Sequence, residues 1–359
     1  LDKKMMINPT QVWRLLTVIA LLMVQTSGFC QVNGGRYAFS FLSLSPSART
    51  TGLGGIQIAV RDDDPALVAQ NPGALNPDMH DKISWQHHFF LKDIQHGYAA
   101  YTRHLQRPGL TMQAAVQFIQ YGEIKQTDTQ GNVTGSLKAS ESGVNVGLGK
   151  QLNPRLSIGL NFKATQSVLD IYRAYALASD VGLIYADTSR RWSAAVVVRN
   201  FGKQVQQYAY SVETLPFDVQ VGLSKRLKYL PFRMSIIIHN LHRWNIVYDN
   251  PATQQSSDIF DDGMSTGSAR NKNIDILARH LIFNGEFLLG KQEGFRLRLG
   301  YNHLRKMEMT VNNYRSLAGF TTGIGIRVSR FRIDVGYGAY HLAGGIIHFG
   351  IGTNLGQLF

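Results

Sequence analysis

The groups that could do chemistry in this 359-residue chain are 11 histidines, 24 carboxylates and one cysteine. A metal centre needs three or four such ligands converging on one point. The single cysteine, Cys30, excludes a disulfide framework and a thiolate zinc site. No His-Glu-x-x-His pair, no Gly-x-Ser-x-Gly elbow and no phosphate-binding loop before a helix occurs. His87 and His88 are adjacent, so on a strand they point to opposite faces and do not readily share an ion. Asp261-Asp262-Gly263 has part of a calcium loop but lacks the spaced carboxylates and closing Glu, which leaves a solvated turn. Asp128 and Gly131-Asn132 sit where a hairpin turn needs them. The residues therefore predict no catalytic centre, no cofactor and no metal. The basic residues form no compact patch interleaved with stacking aromatics, so nucleic acid is not an expected partner.

What these groups are mounted on follows from composition. Charged residues are 17%, against the ~25% of an ordinary soluble protein, and glycine is 35 of 359. A mean hydropathy of -0.12 is too polar for a bundle of membrane helices. Glycine-rich, low-charge and mildly polar, the chain suits an all-β architecture. A soluble sandwich and an outer-membrane barrel both fit.

Residues 1–30 read as a signal peptide. Lys3, Lys4 and Arg14 precede an apolar stretch, Leu15 to Val24, too short to span a bilayer. Gly28 and Cys30 are the small residues before a cleavage ahead of Gln31; lipidation of Cys30 is the alternative. Without this segment the net charge falls from +13 to about +11.

Beyond it the pattern has period two. Leu156, Ile158, Leu160 and Phe162 alternate with Ser157, Gly159 and Asn161, as a pleated strand with one apolar face requires. The same alternation gives fourteen strands over 82–359, including 110–121, 136–150, 277–290 and 294–305. Most run 9–13 residues by this reading, the length a tilted transmembrane strand needs rather than the ~5–6 of a soluble one. Alternate connections are short, such as 106–109 and 188–191, and the others include long ones, 122–135, 201–215, 242–274 and 306–316. Short turns on one side and long loops on the other predict an all-β, 14-stranded antiparallel outer-membrane barrel with the long loops outside the cell. Tyr172, Tyr175, Tyr185, Trp192, Phe201, Tyr229 and Trp244 fall near strand ends, where interfacial girdles would place them.

Residues 31–81 lack the alternation. Asp62-Asp63-Asp64-Pro65 reads as a cap and short helix, and Asn71-Pro72-Gly73 as a turn. Such a stretch can fold back into the lumen as a plug; a loosely attached tail is the other reading. Lys163, Arg296, Arg298, Arg327 and Arg332, with Asp218, Glu286 and Asp334, lie on polar strand faces. They either pair across the lumen and with the plug, or form a cationic conduit.

The stretch from Gly34 through Ser47-Ala48-Arg49, Gly54-Gly55, Asp62 to Asp64 and Asn71-Pro72 resembles the N-terminal signature of the fatty-acid-transporter-like outer-membrane barrels. That group has fourteen strands and an N-terminal plug. Within it, Tyr121-Gly122, Arg199-Asn200-Phe201-Gly202, Leu215-Pro216-Phe217, His239-Asn240-Leu241 and Gly300-Tyr301-Asn302 make the chain similar to the PorQ-like barrels of the type IX secretion system of Bacteroidota. The resemblance covers residues 34–354; Gly73 departs from it, where Ala is usual. It implies a non-enzymatic anchor subunit of the cell-surface attachment complex. Such a subunit holds a PorZ-like surface protein near the sortase-like PorU and the barrel PorV, beside lipopolysaccharide.

The loop 242–273 is the expected partner site, because loops beyond ~12–15 residues are usually functional or disordered. Trp244, Tyr248 and Phe260 supply aromatic anchors in a polar surround, and Tyr208 and Tyr210 do so in the loop 201–215. Two further roles fit a barrel: a transporter of hydrophobic small molecules, and a PorV-like cargo shuttle.

Overall fold

A strand in a bilayer must bond its whole backbone to neighbouring strands, so an antiparallel sheet that crosses a membrane has to close on itself. This one does. The computed structural model describes residues 37–90, 93–208, 213–247, 269–290, 293–309, 317–341 and 344–357. Segment 1–30, with the proposed signal peptide, lies outside these residues.

The wall is built from β1 (Lys82–Phe89), β2 (Gln95–Leu105), β3 (Leu110–Thr127), β4 (Val133–Asn153), β5 (Leu156–Leu169), β6 (Tyr172–Asp187) and β7 (Trp192–Gln206). It continues through β8 (Asp218–Arg226), β9 (Phe232–Ile238), β10 (Leu281–Leu289), β11 (Phe295–Asn302), β12 (Phe320–Val328), β13 (Phe331–His341) and β14 (Gly344–Asn354). Each strand pairs antiparallel with its sequence neighbours, and β1 closes on β14 from Lys82↔Asn354 to Phe89↔Ile347. The predicted fourteen-stranded antiparallel barrel is the observed fold.

The pleat sorts side chains as the alternation requires. On β5, Ile158, Leu160 and Phe162 are exposed on the outer wall, while Ser157, Asn161 and Lys163 are buried inside. Outward Val196, Leu223, Phe283, Leu299, Ile324 and Val335 continue that apolar belt around the barrel. Tyr185 packs on Trp192 at one rim, and Tyr301 on Phe320 at the other.

β7 runs on to Gln206, through the first part of the expected loop 201–215, and three other boundaries have a clear physical reason for differing from the sequence reading. Residues 122–135 are mostly strand rather than loop: β3 and β4 run 18 and 21 residues, leaving only 128–132 as the turn. A crossing needs ~9–11 residues, so at ~3.4 Å per residue the hairpin rises on the order of 30 Å along the strand beyond the belt. Apolar alternation stops at the membrane edge, near Gln120, but ladder bonding does not: Glu123 to Gln126 still pair with Lys138 to Gly135. Second, β10 begins at Leu281 because α2 (Ala269–Arg279) occupies the end of the preceding loop. Third, β11 stops at Asn302, whose side chain accepts from the Arg305 amide and caps α3 (His303–Glu308). The earlier helix, α1 (Ala48–Gly52), lies inside the barrel.

Candidate functional site

The site is the lumen and the N-terminal segment that fills it. From Ser45 to Asn76 every residue is buried except Ile56 and Arg61 to Asp63, which are half-buried. The segment is a series of short turns, each started by a polar cap before proline or a small residue. Ser47 caps α1 in a reciprocal box with Thr50. Asp64, Asn71 and Asn76 accept from the amides of Ala66, Gly73 and Asp78, with Pro65, Pro72 and Pro77 at the first helical positions. These caps satisfy backbone donors that have no water to turn to.

Wall glycines receive the segment. A Cβ on Gly159 would overlap the Pro72 carbonyl, and one on Gly336 would overlap the Ala48 carbonyl. Gly300 faces the Gly54 amide in the same way. Much of the chain's glycine is thus spent on close approach between wall and plug. Gly54 and Gly55 carry φ of +82° and +95°, left-handed values that let the chain turn after α1. The Gly54 amide donates to Thr321 Oγ1 at 2.9 Å, and the Asn71 amide group donates to the Ile58 carbonyl at 2.7 Å.

Arg49 is the electrostatic centre. It is 1% exposed and reaches Asp62 at 2.8 Å, Glu286 of β10 at 3.0 Å and Asp64 at 3.2 Å. Glu286 also takes Arg298 at 2.8 Å and Arg233 at 3.0 Å. Arg298 continues to Asp334 at 2.6 Å. Arg332 bridges Asp334 and Asp64, Arg327 and Lys82 hold Asp63, and Arg296 pairs with Glu293. Burial alone would raise the Asp62 carboxyl; Arg49, helped by Arg296 and Arg233, instead holds it well below the usual carboxylate range.

A second cluster lies on the opposite wall. Lys163 Nζ contacts Asp180 at 2.7 Å and Asn200 Oδ1 at 2.9 Å, and Arg199 donates to the Leu42 carbonyl of the plug at 3.1 Å. Asp218 accepts from the Asn240 amide at 2.7 Å. The charges that alternation placed on inner faces are therefore engaged with partners, and the cationic conduit is not what these residues build.

His88, on the inner face of β1, meets His96 at 3.0 Å and Thr51 at 3.3 Å, and Thr51 reaches His348 at 3.0 Å. Gln117 donates to His96 Nε2 at 2.9 Å. One set of neutral tautomers fits this chain: His96 Nδ1–H donates to His88, and His88 Nε2–H and His348 Nδ1–H both donate to Thr51, whose own hydroxyl donates to Ser45 at 3.0 Å. No group of ligands among the described residues could hold a metal ion. His87 faces outward between Trp85 and Phe89.

Of the aromatic loop residues, Trp244 is exposed and stacks on His280 at 5.3 Å. Tyr208 is half-buried, donates to the Ser167 hydroxyl and packs on the Phe39–Phe41 cluster. Tyr210, Tyr248, Phe260 and the Asp261–Gly263 turn lie outside the described residues. The segment Ser47, Ala48, Arg49, Gly54, Gly55, Asn71 and Pro72, which carried the resemblance, provides caps, turns and the central cation. Sequence reasoning did not see Arg49 as the hub, nor Asp62 and Asp63 as ion-pair partners as well as turn formers. The available signal was an arginine and three consecutive aspartates in a stretch without charge periodicity.

Comparison with known proteins gives fold but no family. No protein-family model and no curated protein matches the chain. Among solved structures, the toluene transporter TodX of Pseudomonas putida superposes with a TM-score of 0.50 at 11% identity, covering 86% of this chain and 96% of that one. A deletion mutant of TodX, described as a monoaromatic hydrocarbon channel, gives 0.53 at 10% identity, covering 86% and 99%. A Pseudomonas aeruginosa FadL homologue gives 0.48 at 10%, covering 86% and 98%. Closed wall, apolar belt and the likeness to TodX define the class: a fourteen-stranded β-barrel of the outer-membrane type.

Proposed function

We propose that the chain is a non-enzymatic outer-membrane barrel that anchors a surface protein. By its sequence resemblance this is the PorQ-like subunit of a type IX attachment complex, holding a PorZ-like protein near PorU- and PorV-like members and lipopolysaccharide. The observation that carries the reading is the filled, ion-paired lumen: wall glycines seat the plug and Arg49 ties it to β10, which suits a scaffold rather than a passage. The raised hairpin of β3 and β4 supports it, since the exposed stretch from Glu123 to Thr127 stands beyond the end of β2 and offers a partner backbone and side chains.

A second reading, transport of hydrophobic small molecules, is favoured by two observations. Two solved barrels of like fold are described as a toluene transporter and a monoaromatic hydrocarbon channel. Between the plug and the wall there is also a crevice lined by Phe41, Leu42, Leu44, Pro46, Val116 and Val144, with Lys163 and Arg199 among its polar groups. Its volume is about 20 Å³, room for about one water molecule, so an aromatic hydrocarbon would have to open it.

Purification of the tagged chain from native outer membranes in mild detergent, with mass spectrometry of what stays bound, tests both. Recovery of a PorZ-like surface protein supports the anchor. Recovery of the barrel alone, with a hydrocarbon or free lipid, overturns it in favour of transport. Deleting Thr253 to Arg270 should release the partner while the barrel still assembles; unchanged partner retention would remove the role assigned to Phe260 and this part of the loop.

A further inference from the structure

The short turns at the end of the barrel where the plug joins β1 carry an uneven distribution of charge. Arg190 and Arg191 form the β6–β7 turn, and Lys225 and Lys228 flank the start of the β8–β9 turn beside it. All four are exposed. The carboxylates nearby are already occupied. Asp187 accepts from the Ser189 hydroxyl at 2.6 Å and the Arg190 amide at 3.0 Å, and Glu293 is paired with Arg226 at 2.5 Å. Three of the four cationic side chains have backbone carbonyls or a ring for company: Arg191 donates to the Lys228 carbonyl at 3.0 Å, Lys225 to the Arg190 carbonyl at 2.8 Å, and Lys228 lies 5.2 Å over Tyr229; the Arg190 charge acts on Asp187. Together with Trp192 they line a recess of about 550 Å³. A second recess of about 440 Å³ shares Arg191, Trp192 and Arg226 and runs inward to Arg61.

The wall directly above is membrane belt. Trp192 pairs with Lys225, then Ala194 with Leu223, then Val196 with Val221, all on the outward face. Small Ala194 between Trp192 and Val196 leaves a shallow apolar track that begins at the cations. A cationic recess at the foot of an apolar track matches one chemistry: an anionic headgroup joined to acyl chains. The recess opens on the side of the short turns, opposite the raised β3–β4 hairpin, so its neighbours are the phospholipids of the periplasmic leaflet rather than the outer surface.

We propose that Arg190, Arg191, Lys225 and Lys228, with Trp192, form a site for an anionic phospholipid of the periplasmic leaflet. Its phosphates sit among the four cations, and an acyl chain lies along Ala194. Each cation near such a headgroup contributes about a fivefold gain in affinity, so removing three predicts a loss of about a hundredfold.

The test uses the full barrel, delipidated in non-denaturing detergent and titrated with cardiolipin in native mass spectrometry, with phosphatidylcholine and inorganic phosphate as comparisons. Cardiolipin should bind at least about tenfold tighter than phosphatidylcholine. The triple variant R190Q/K225Q/K228Q should lose about a hundredfold for cardiolipin, and R190K/K225R/K228R should keep it. Arg107→Gln, in a turn outside the recess, should behave as wild type. If the triple variant does not assemble, Lys228→Gln alone should lose about fivefold. Equal binding of cardiolipin and phosphatidylcholine, or unchanged binding by the neutralised variants, overturns the proposal. Complete displacement of cardiolipin by inorganic phosphate also overturns it, because the site would then be one for free anions.

Discussion

Arg49→Met is the most informative single change. The methionine keeps much of the volume and removes the cation that Asp62, Asp64 and Glu286 share. Breaking a buried ion pair costs about 3–5 kcal/mol, because the partner is left charged and unpaired. Two of the three carboxylates keep other cations: Glu286 retains Arg298 and Arg233, and Asp64 retains Arg332. Asp62 is 19% exposed on its side chain and retains Arg233, at 3.8 Å, and the charge of nearby Arg296. The lower end, about 3 kcal/mol, is therefore the expected effect, or roughly a hundredfold in the equilibrium between seated and displaced plug. It falls on the plug and not the wall, because the wall closes through strand ladders in which Arg49 takes no part. The assay is limited proteolysis of the reconstituted barrel, with cleavage in 37–81 read by mass spectrometry and barrel integrity by heat-modifiable mobility. Cleavage in this segment should rise about a hundredfold while the barrel stays folded. Unchanged protection of the plug would refute the assignment of Arg49 as its lock, and loss of the barrel itself would show that plug and wall are not separable units.

The remaining predictions share that assay. Because Asp62 has a depressed pKa in the folded chain, its contribution to plug seating is complete above the ordinary carboxylate value and is lost as pH falls through the lower folded value. Protection should therefore be flat from pH 7 to about 5 and fall only below about 4; a fall near pH 6 would refute the assignment to Asp62. Gly159→Val puts side-chain atoms against the Pro72 carbonyl and should cost about 1–3 kcal/mol, the usual cost of overpacking. Its signature is a loosened 71–76 turn with normal assembly, and wild-type protection would show that the wall yields there. Replacing 122–135 by a short turn should leave heat-modifiable mobility unchanged, since those residues lie beyond the belt; failure to assemble would mean the hairpin is needed for closure.

The sequence by itself determined the wall. Alternation is a local property: each residue's neighbours two positions away decide whether a face can meet lipid, and turn residues decide where the chain reverses. Strand number, direction and the inner or outer facing of Phe162, Lys163, Arg298 and Asp334 were legible for that reason. Strand ends were legible only where hydrophobicity ended with them, so the β3–β4 hairpin, which continues on backbone bonds after the outer face turns polar, read as a loop. Tertiary structure alone decided what the inner faces do. Arg49 and Glu286 meet across 237 positions of sequence, Thr51 and His348 across 297, and Gly159 gives way to Pro72 from a strand that begins 84 positions after it. No local pattern encodes such a meeting. It exists because closing the barrel brings fourteen inner faces around one short segment. Burial there leaves each charge, amide and hydroxyl to find its partner in the protein rather than in water.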